Sequence, residues 1–277
     1  MKKNERAAAI VRTIVVSLIA VLFVIPLVWM VLSSLKTAPE VFARPFHWLP
    51  AKAQWQNYAT VWMNEEASML RAFANTLYIA LFSIIGQMFI SSLAAYSFAK
   101  INFKGKQVVF MLFLSSMMVP SQLTIIPRFM LFKTIGLYNN LWAIILPAFF
   151  GATSIFMLRQ FYMGLPNDLI EAAKIDGAGH LRIFLRIMLP LTKAALMSLI
   201  ILAFISSWNE YMAPLIFLVK KELYTVSQNI QWYMLDEFKE HNLTMAAATS
   251  AIVPVVILFI VGQKYFVEGI ATSGVKG

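Results

Sequence analysis

Six apolar stretches dominate the chain, each bounded by charged residues. Five carry no charge at all, over residues 13–35, 72–99, 107–127, 134–158 and 242–263, and a sixth, 194–219, is interrupted only by Glu210. Crossing a hydrocarbon core of roughly 30 Å takes about 20 helical residues, and every stretch meets that length. Strand-like alternation is absent, and lipid offers the backbone no outside hydrogen-bond partner, so all six are predicted as helices. The expected fold is therefore all-α, a polytopic membrane protein with six transmembrane helices in a single transmembrane domain over 1–277. Its first span lies at about 13–35 and its core spans at about 72–267.

Proline falls inside five of the six spans, as Pro26, Pro120, Pro147, Pro214 and Pro254. Each removes a backbone hydrogen bond and invites a kink. Such breaks suit a protein that moves, and they equally match the ordinary proline usage of membrane helices.

Composition supports the same class independently. The 277 residues are 60% hydrophobic and 13% charged, with a mean hydropathy of +0.72, which describes a chain dissolved mostly in lipid. With the N-terminus inside, fourteen of the 23 lysines and arginines fall on the cytoplasmic side and nine outside, whereas five acidic residues lie inside and seven outside. That asymmetry orients the chain with N- and C-termini in the cytoplasm. The net charge of +10 then reports topology and anionic membrane lipid, and no soluble basic face exists for nucleic acid. The first run, at 23 uncharged residues and with no small-residue cleavage pattern before Lys36, is too long for a signal peptide. It reads as a retained span.

The chain contains no cysteine, hence no disulfide and no thiolate metal site. Its three histidines, His47, His180 and His241, fall in separate loops, which argues against a metal cluster.

Between two spans lies a charged, glycine-broken loop at 166–190, including EAAKIDGAGHLRIFLRIMLP from Glu171 to Pro190. Pro166-Asn167-Asp168 followed by Glu171 predicts a helix start, with Asp168 as the cap and Glu171 reaching back. Ala172 and Ala173 leave one face without bulk, so that the turn can enter another protein's cleft, while Glu171 offers charge to a basic group. Gly177 and Gly179 are expected to reverse the chain. A second helix begins near His180, and Pro190 marks the start of the next span. An amphipathic helix resting on the membrane surface would show the same polarity.

Glu210 stands in the run Ser206-Ser207-Trp208-Asn209-Glu210-Tyr211. A carboxylate within a span is costly and should face the bundle interior or a wet cavity. Trp208, Asn209, Glu210 and Tyr211 together combine a ring, an amide, an acid and a hydroxyl, a set that suits a sugar. Two readings fit: the cluster lines a translocation path, or it braces two helices.

The loop also carries a resemblance. Glu171-Ala172-Ala173, three residues, Gly177, nine residues, Ile187, one residue and then Leu189-Pro190 matches the signature loop of the membrane subunits of bacterial ABC importers at every fixed position. Further stretches, AAYSFAKINFKGK from Ala94, PSQLTIIPRFMLFKTIGLYNN from Pro120, WNEYMAPL from Trp208 and the ending GIATSGVKG, resemble the carbohydrate-uptake branch. The similarity is to the smaller membrane subunit of the maltose transporter and covers nearly the whole chain. It implies a multi-pass subunit of the bacterial inner membrane, in which 166–190 forms a coupling helix docked on a cytoplasmic ABC ATPase dimer. It further implies a second, different permease subunit, an extracellular sugar-binding protein facing 220–241, and a tail over 268–277 whose Gly274, Val275 and Lys276 reach the ATPase. ATP and Mg²⁺ would then belong to the partner, with no cofactor in this chain.

The absences agree with that implication. No G-x-x-x-x-G-K-[ST] phosphate loop occurs, and Gly177-Ala178-Gly179 lacks the third glycine and preceding strand of a dinucleotide site. The chain is therefore not expected to be an enzyme. An ion-driven secondary transporter, the main alternative, would usually carry several intramembrane ionisable groups and internal repeats. A membrane-embedded enzyme would need clustered His, Asp or Glu near one interface, and none is evident.

Overall fold

The computed structural model describes the backbone of residues 2–235 and 240–274 and the side chains of residues 8–235 and 240–263. Helices account for every regular element among them: α1 (Lys2–Ser34), α2 (Ala38–Val41), α3 (Gln56–Met63), α4 (Met69–Lys100), α5 (Lys106–Ser115), α6 (Ser121–Thr134), α7 (Trp142–Ala148) and α8 (Ala152–Gly164). There follow α9 (Asp168–Ile175), α10 (His180–Ile183), a π-helical stretch Phe184–Met188, α11 (Leu189–Leu191), α12 (Lys193–Trp208), α13 (Met212–Phe217), α14 (Val226–Tyr233) and α15 (His241–Gly274). Short 3₁₀ turns lie at Ser116–Met118 and Lys221–Leu223.

Among the described residues, four segments are long and apolar enough to cross a membrane: Ala8–Ser34, Met69–Lys100, Trp142–Gly164 and His241–Gln263. The other two expected spans are not straight rods, and the reasons are local. The stretch expected at 107–127 breaks into Lys106–Met118 and Ser121–Thr134, bent by 96°. Val119 precedes Pro120 and is extended at φ −83°, ψ 113°, as the clash with a following proline ring dictates. The stretch expected at 194–219 stops at Trp208, and Asn209–Tyr211 separate α12 from α13. Ahead of α12, Lys193–Trp208 meets His180–Leu191 at 76°. The Thr192 hydroxyl donates to the carbonyls of Met188 and Leu189, both at 3.1 Å, a back-bond that bends helices. The span expected from residue 134 begins only at Trp142. Asn139, at φ 61°, and Gly136, at φ 77°, hold the preceding segment in turns.

The chain divides into two compact units. The first comprises Met1–Leu70 with Asn229–Val253. In it the apolar side chains of α1 from Ile10 to Val31 stay exposed around most of the helix, a pattern that needs lipid around it. Where α1 ends, Asn57 Nδ2 donates to the Ser34 and Lys36 carbonyls at 2.8 and 2.9 Å, satisfying groups the helix end leaves open. Asn242 in turn donates to Asn57 Oδ1 at 3.1 Å. Tyr233 donates its hydroxyl to the Ala67 carbonyl at 3.1 Å, and burial, with the Glu240 charge as a lesser cause, pushes its pKa up to about 12.

The second unit comprises Arg71–Gln228 with Pro254–Gly277. Its centre is one face of α4, where Ala72, Thr76, Ala80, Ser83, Ser91 and Ala95 are all buried. Small side chains at this helical spacing let neighbouring helices approach closely, which is how helices associate where lipid removes the usual hydrophobic drive. At Gly86 the approach is closest, because a Cβ there would lie only 2.1 Å from a Phe149 ring carbon. One core cluster joins the C-terminal half of α4 to α8, α9 and the helical run 180–191 through Tyr96, Leu158, Tyr162, Ile170, Ile183 and Phe184. A second joins Ile79 to Phe132, Ile144, Ile145, Phe217 and Leu218.

Candidate functional site

The loop 166–190 is fastened at the C-terminal end of α4. Lys100 Nζ donates to the Leu165 carbonyl and to Asn167 Oδ1, each at 2.7 Å. Lys106 Nζ donates to the Ile101 carbonyl at 2.9 Å, and Arg159 donates to the Phe98 carbonyl at 3.3 Å with its guanidinium 4.1 Å from the Phe110 ring centroid. Cations thus meet the carbonyls that a helix end leaves unpaired, where the helix dipole favours positive charge.

The eight residues of α9 start at Asp168 as expected, but the cap differs. Asn167 occupies the cap position and no side chain caps the helix; the Asn167 side-chain oxygen is taken by Lys100, and the expected Asp168–Glu171 box does not form. At the other end the helix closes with a double hydrogen bond: Ala178 N–H to the Ala173 carbonyl at 2.9 Å and Gly177 N–H to the Lys174 carbonyl at 3.0 Å. This closure requires a left-handed residue, and Gly177 supplies it at φ 77°. Gly179, at φ −72°, does not share that requirement, so the reversal rests on one glycine rather than two.

Two faces of α9 therefore differ. Ile170 and Ala173 are buried in the chain's own core. Ala173 is accordingly not part of a bare outward face as expected, because it anchors the helix inward. Glu171, Ala172 and Lys174 are exposed, and Ile175 leaves 87% of its surface uncovered. Ile187 and Leu189 are half-buried against the same core, and Pro190 is exposed within α11. The Tyr96 hydroxyl and His180 Nδ1, 3.0 Å apart, tie α4 to the start of α10.

A second feature lies where α12 ends. A cavity of about 410 Å³ is lined from α4 by Ser83 and Gln87, from α6 by Ser121, Gln122 and Arg128, from 144–151 by Ile144 and Phe150, and from 203–213 by Ser206, Ser207 and Glu210. Of the four residues singled out around Glu210, only Glu210 lines it. Trp208 is buried, stacked on Phe204 with centroids 5.4 Å apart and edge-on to Phe73 at 5.3 Å. The Asn209 amide donates back to the Ile205 carbonyl at 2.8 Å, and neither Asn209 nor Tyr211 lines the cavity. Glu210 sits in the break between α12 and α13, and its Oε1 accepts the Ala213 N–H at 3.0 Å.

Arg128, Gln87 and Gln122 are the site residues that sequence reading passes over. Arg128 reads as an outside loop cation, yet α6 turns it inward, 5.0 Å from the Phe217 ring centroid. The Pro120 break was the available signal, since it implied a bent second helix able to carry polar groups beneath the first. Gly274 ends α15, and Val275 and Lys276 lie outside the described residues.

Comparison with known proteins supplies the family and agrees with the fold. Residues 87–272 match the family described as binding-protein-dependent transport system inner membrane component. The arabinooligosaccharides transport system permease protein AraQ of Bacillus subtilis is 33% identical over 267 residues, covering 96% of this chain and 95% of that protein. The diacetylchitobiose uptake system permease protein NgcG of Streptomyces coelicolor is 29% identical, with 94% and 86% covered. The sn-glycerol-3-phosphate transport system permease protein UgpE of Yersinia pestis is also 29% identical, with 99% of each chain covered. A chain from the crystal structure of a bacterial ABC transporter involved in the import of the acidic polysaccharide alginate shares the fold, with a TM-score of 0.83 at 23% identity over 95% of this chain and 98% of that one.

The family match and the relatives make this polytopic, all-helical chain a membrane subunit of an ABC importer. It belongs to the family of binding-protein-dependent transport system inner membrane components. That membership sets aside the ion-driven alternative, makes the chain a permease and not an enzyme, and assigns ATP hydrolysis to a partner subunit.

Proposed function

We propose that this chain is one of two unlike permease subunits of an importer for a sugar or short oligosaccharide, lining half of the translocation path. It sits in a bacterial inner membrane with both termini cytoplasmic, an orientation supported by the basic-residue asymmetry. A cytoplasmic ATPase dimer holds ATP and Mg²⁺ and receives α9, while an extracellular binding protein delivers the solute to the side carrying 220–241. The tail at Gly274, Val275 and Lys276 reaches the same ATPase. The named functions of the relatives from Bacillus subtilis and Streptomyces coelicolor support an oligosaccharide as cargo.

The observation that carries the reading is the two-faced α9. One face, Ile170 and Ala173, is built into the core, so the helix cannot move without moving what it is packed against. The other, with Glu171, Ala172 and Ile175, is free to enter a cleft. A push on α9 passes through the run 180–191 and the Thr192 bend to α12, whose 16 residues span about 24 Å and carry Ser206 and Ser207 in the last turn, with Glu210 two residues beyond it. Ile187 and Leu189 secure that run to the core, and Pro190 stands just before the bend.

The test is reconstitution with the second permease, the ATPase and the binding protein in vesicles, with arabinotriose as first cargo. Accumulation should require internal ATP and survive collapse of the proton gradient. Accumulation driven by an ion gradient without ATP would defeat the reading.

A further inference from the structure

The cavity at the end of α12 contains polar atoms that the protein itself does not satisfy. Ser83 is only 3% exposed, and its Oγ has no hydrogen-bond partner; the buried Nε of Arg128 has none either. Both residues line the cavity. A buried donor without an acceptor costs about 1–3 kcal/mol, and both of these atoms belong to residues of the cavity wall, where a small shift of either side chain would turn it toward a bound acceptor. The volume of about 410 Å³ falls within the range of roughly 300–1,000 Å³ typical of small-molecule sites.

The lining's charge determines what fits. Arg128 and Glu210 are the only charged residues among those lining it, so the cavity is formally neutral. A carboxylate or phosphate beside Arg128 would also face the Glu210 carboxylate and be repelled by it. A hydroxyl group meets both demands, accepting from Arg128 or Ser83 and donating to Glu210. Gln87 and Gln122 add amides, and Phe150, 69% exposed, offers a ring for the apolar face of a sugar.

We propose that this subunit carries its own saccharide subsite in this cavity, selective for a neutral glycosyl unit over an acidic or phosphorylated one, with Ser83, Arg128 and Glu210 reading its hydroxyls. The proposal rests on the importer reading above. An acidic and a phosphorylated probe therefore belong in the test, the cargo classes that the names of two similar proteins specify.

The native chain has no cysteine, so a single Ser206→Cys reports directly on the cavity. In the purified assembled complex, alkylation of that thiol is timed with maltotriose, cellotriose, arabinotriose, trigalacturonate or glycerol 3-phosphate present at millimolar concentration. At least one neutral trisaccharide should slow alkylation severalfold and neither anion should, while a Thr134→Cys control at the exposed end of α6 responds to none. Adding Glu210→Gln leaves Arg128 uncompensated, so trigalacturonate should then protect, and protection by the neutral sugar should weaken about tenfold or more. Arg128→Gln gives an independent arm: neutral protection falls and no anion gains. Equal rates with all five probes, or protection by an anion in the parent, overturn the subsite. ATP-driven uptake by the unsubstituted complex is read separately, so a working importer whose thiol at position 206 stays unprotected refutes the subsite alone.

Discussion

The α9 loop and the cavity wall lie in the same compact unit and use small residues for opposite ends. On α4, small side chains draw helices together: Gly86 accepts the Phe149 ring, and Ser83 lies sunk beside the cavity. On α9, Ala173 lets the helix bed against its own core, while Ala172 keeps the outward surface low and Ile175 stands above it. The first arrangement brings helices into close contact beside the cavity; the second presents a surface outside the core. Bulk should therefore fail differently in the two places, by loss of stability at the wall and by loss of docking on the exposed face of the loop.

Within α9 the contrast is sharpest between Ile170 and Ile175. Ile170→Ala should cost about 2–5 kcal/mol of stability, as core truncations do, and appear as a lowered unfolding temperature of the detergent-solubilised chain. Ile175→Ala should stay within about 0.5 kcal/mol. Equal losses would erase the two-faced description.

A smaller effect is expected at the wall. Gly86→Leu drives a side chain into the Phe149 ring, and overpacking of this kind costs about 1–3 kcal/mol, read as reduced assembly with the second permease. Gly177→Ala is milder still, because nothing lies within 4 Å of its Cβ position and only the left-handed backbone is strained, at about 1–2 kcal/mol. Insertion should be normal and uptake reduced severalfold, while Gly179→Ala, at an ordinary φ, should be silent.

The orientation gives an all-or-none test of whether the two regions work from opposite sides. Single cysteines at Lys104, near the fastened end of the loop, and at Lys220, past the end of α13, are probed in intact cells with an impermeant thiol reagent. Labelling is expected at 220 alone. Labelling at 104 alone would invert the topology and remove the ATPase from the α9 side.

The same contrast explains what could be read from the sequence. The loop is contiguous, so Glu171-Ala172-Ala173, Gly177 and Leu189-Pro190 revealed it, although residue type alone did not tell the left-handed Gly177 from Gly179. Its cap was not, because the competitor for Asn167 is Lys100, 67 residues away. The cavity draws on four parts of the chain, and only Glu210 announced it, as an acid in an apolar run. Arg128 stayed hidden because counting charge-free runs treats any cation as a loop residue, whereas the Pro120 break folds α6 back and turns that cation inward. The bends at Pro120 and Thr192 were latent in local chemistry; their angles depend on what the helices pack against.

The central claim is that the outward face of α9 receives the ATPase. The most direct measurement is the affinity of purified ATPase for the membrane complex held in nanodiscs, with Ile175→Asp and Glu171→Ala compared with the parent. Burying Ile175 in a cleft is worth about 1.5–3 kcal/mol, and a charged hydrogen bond from Glu171 about as much, so each variant should bind about tenfold or more weakly at an unchanged unfolding temperature. Unaltered affinity in both, with normal binding-protein-stimulated ATP hydrolysis, would contradict the account.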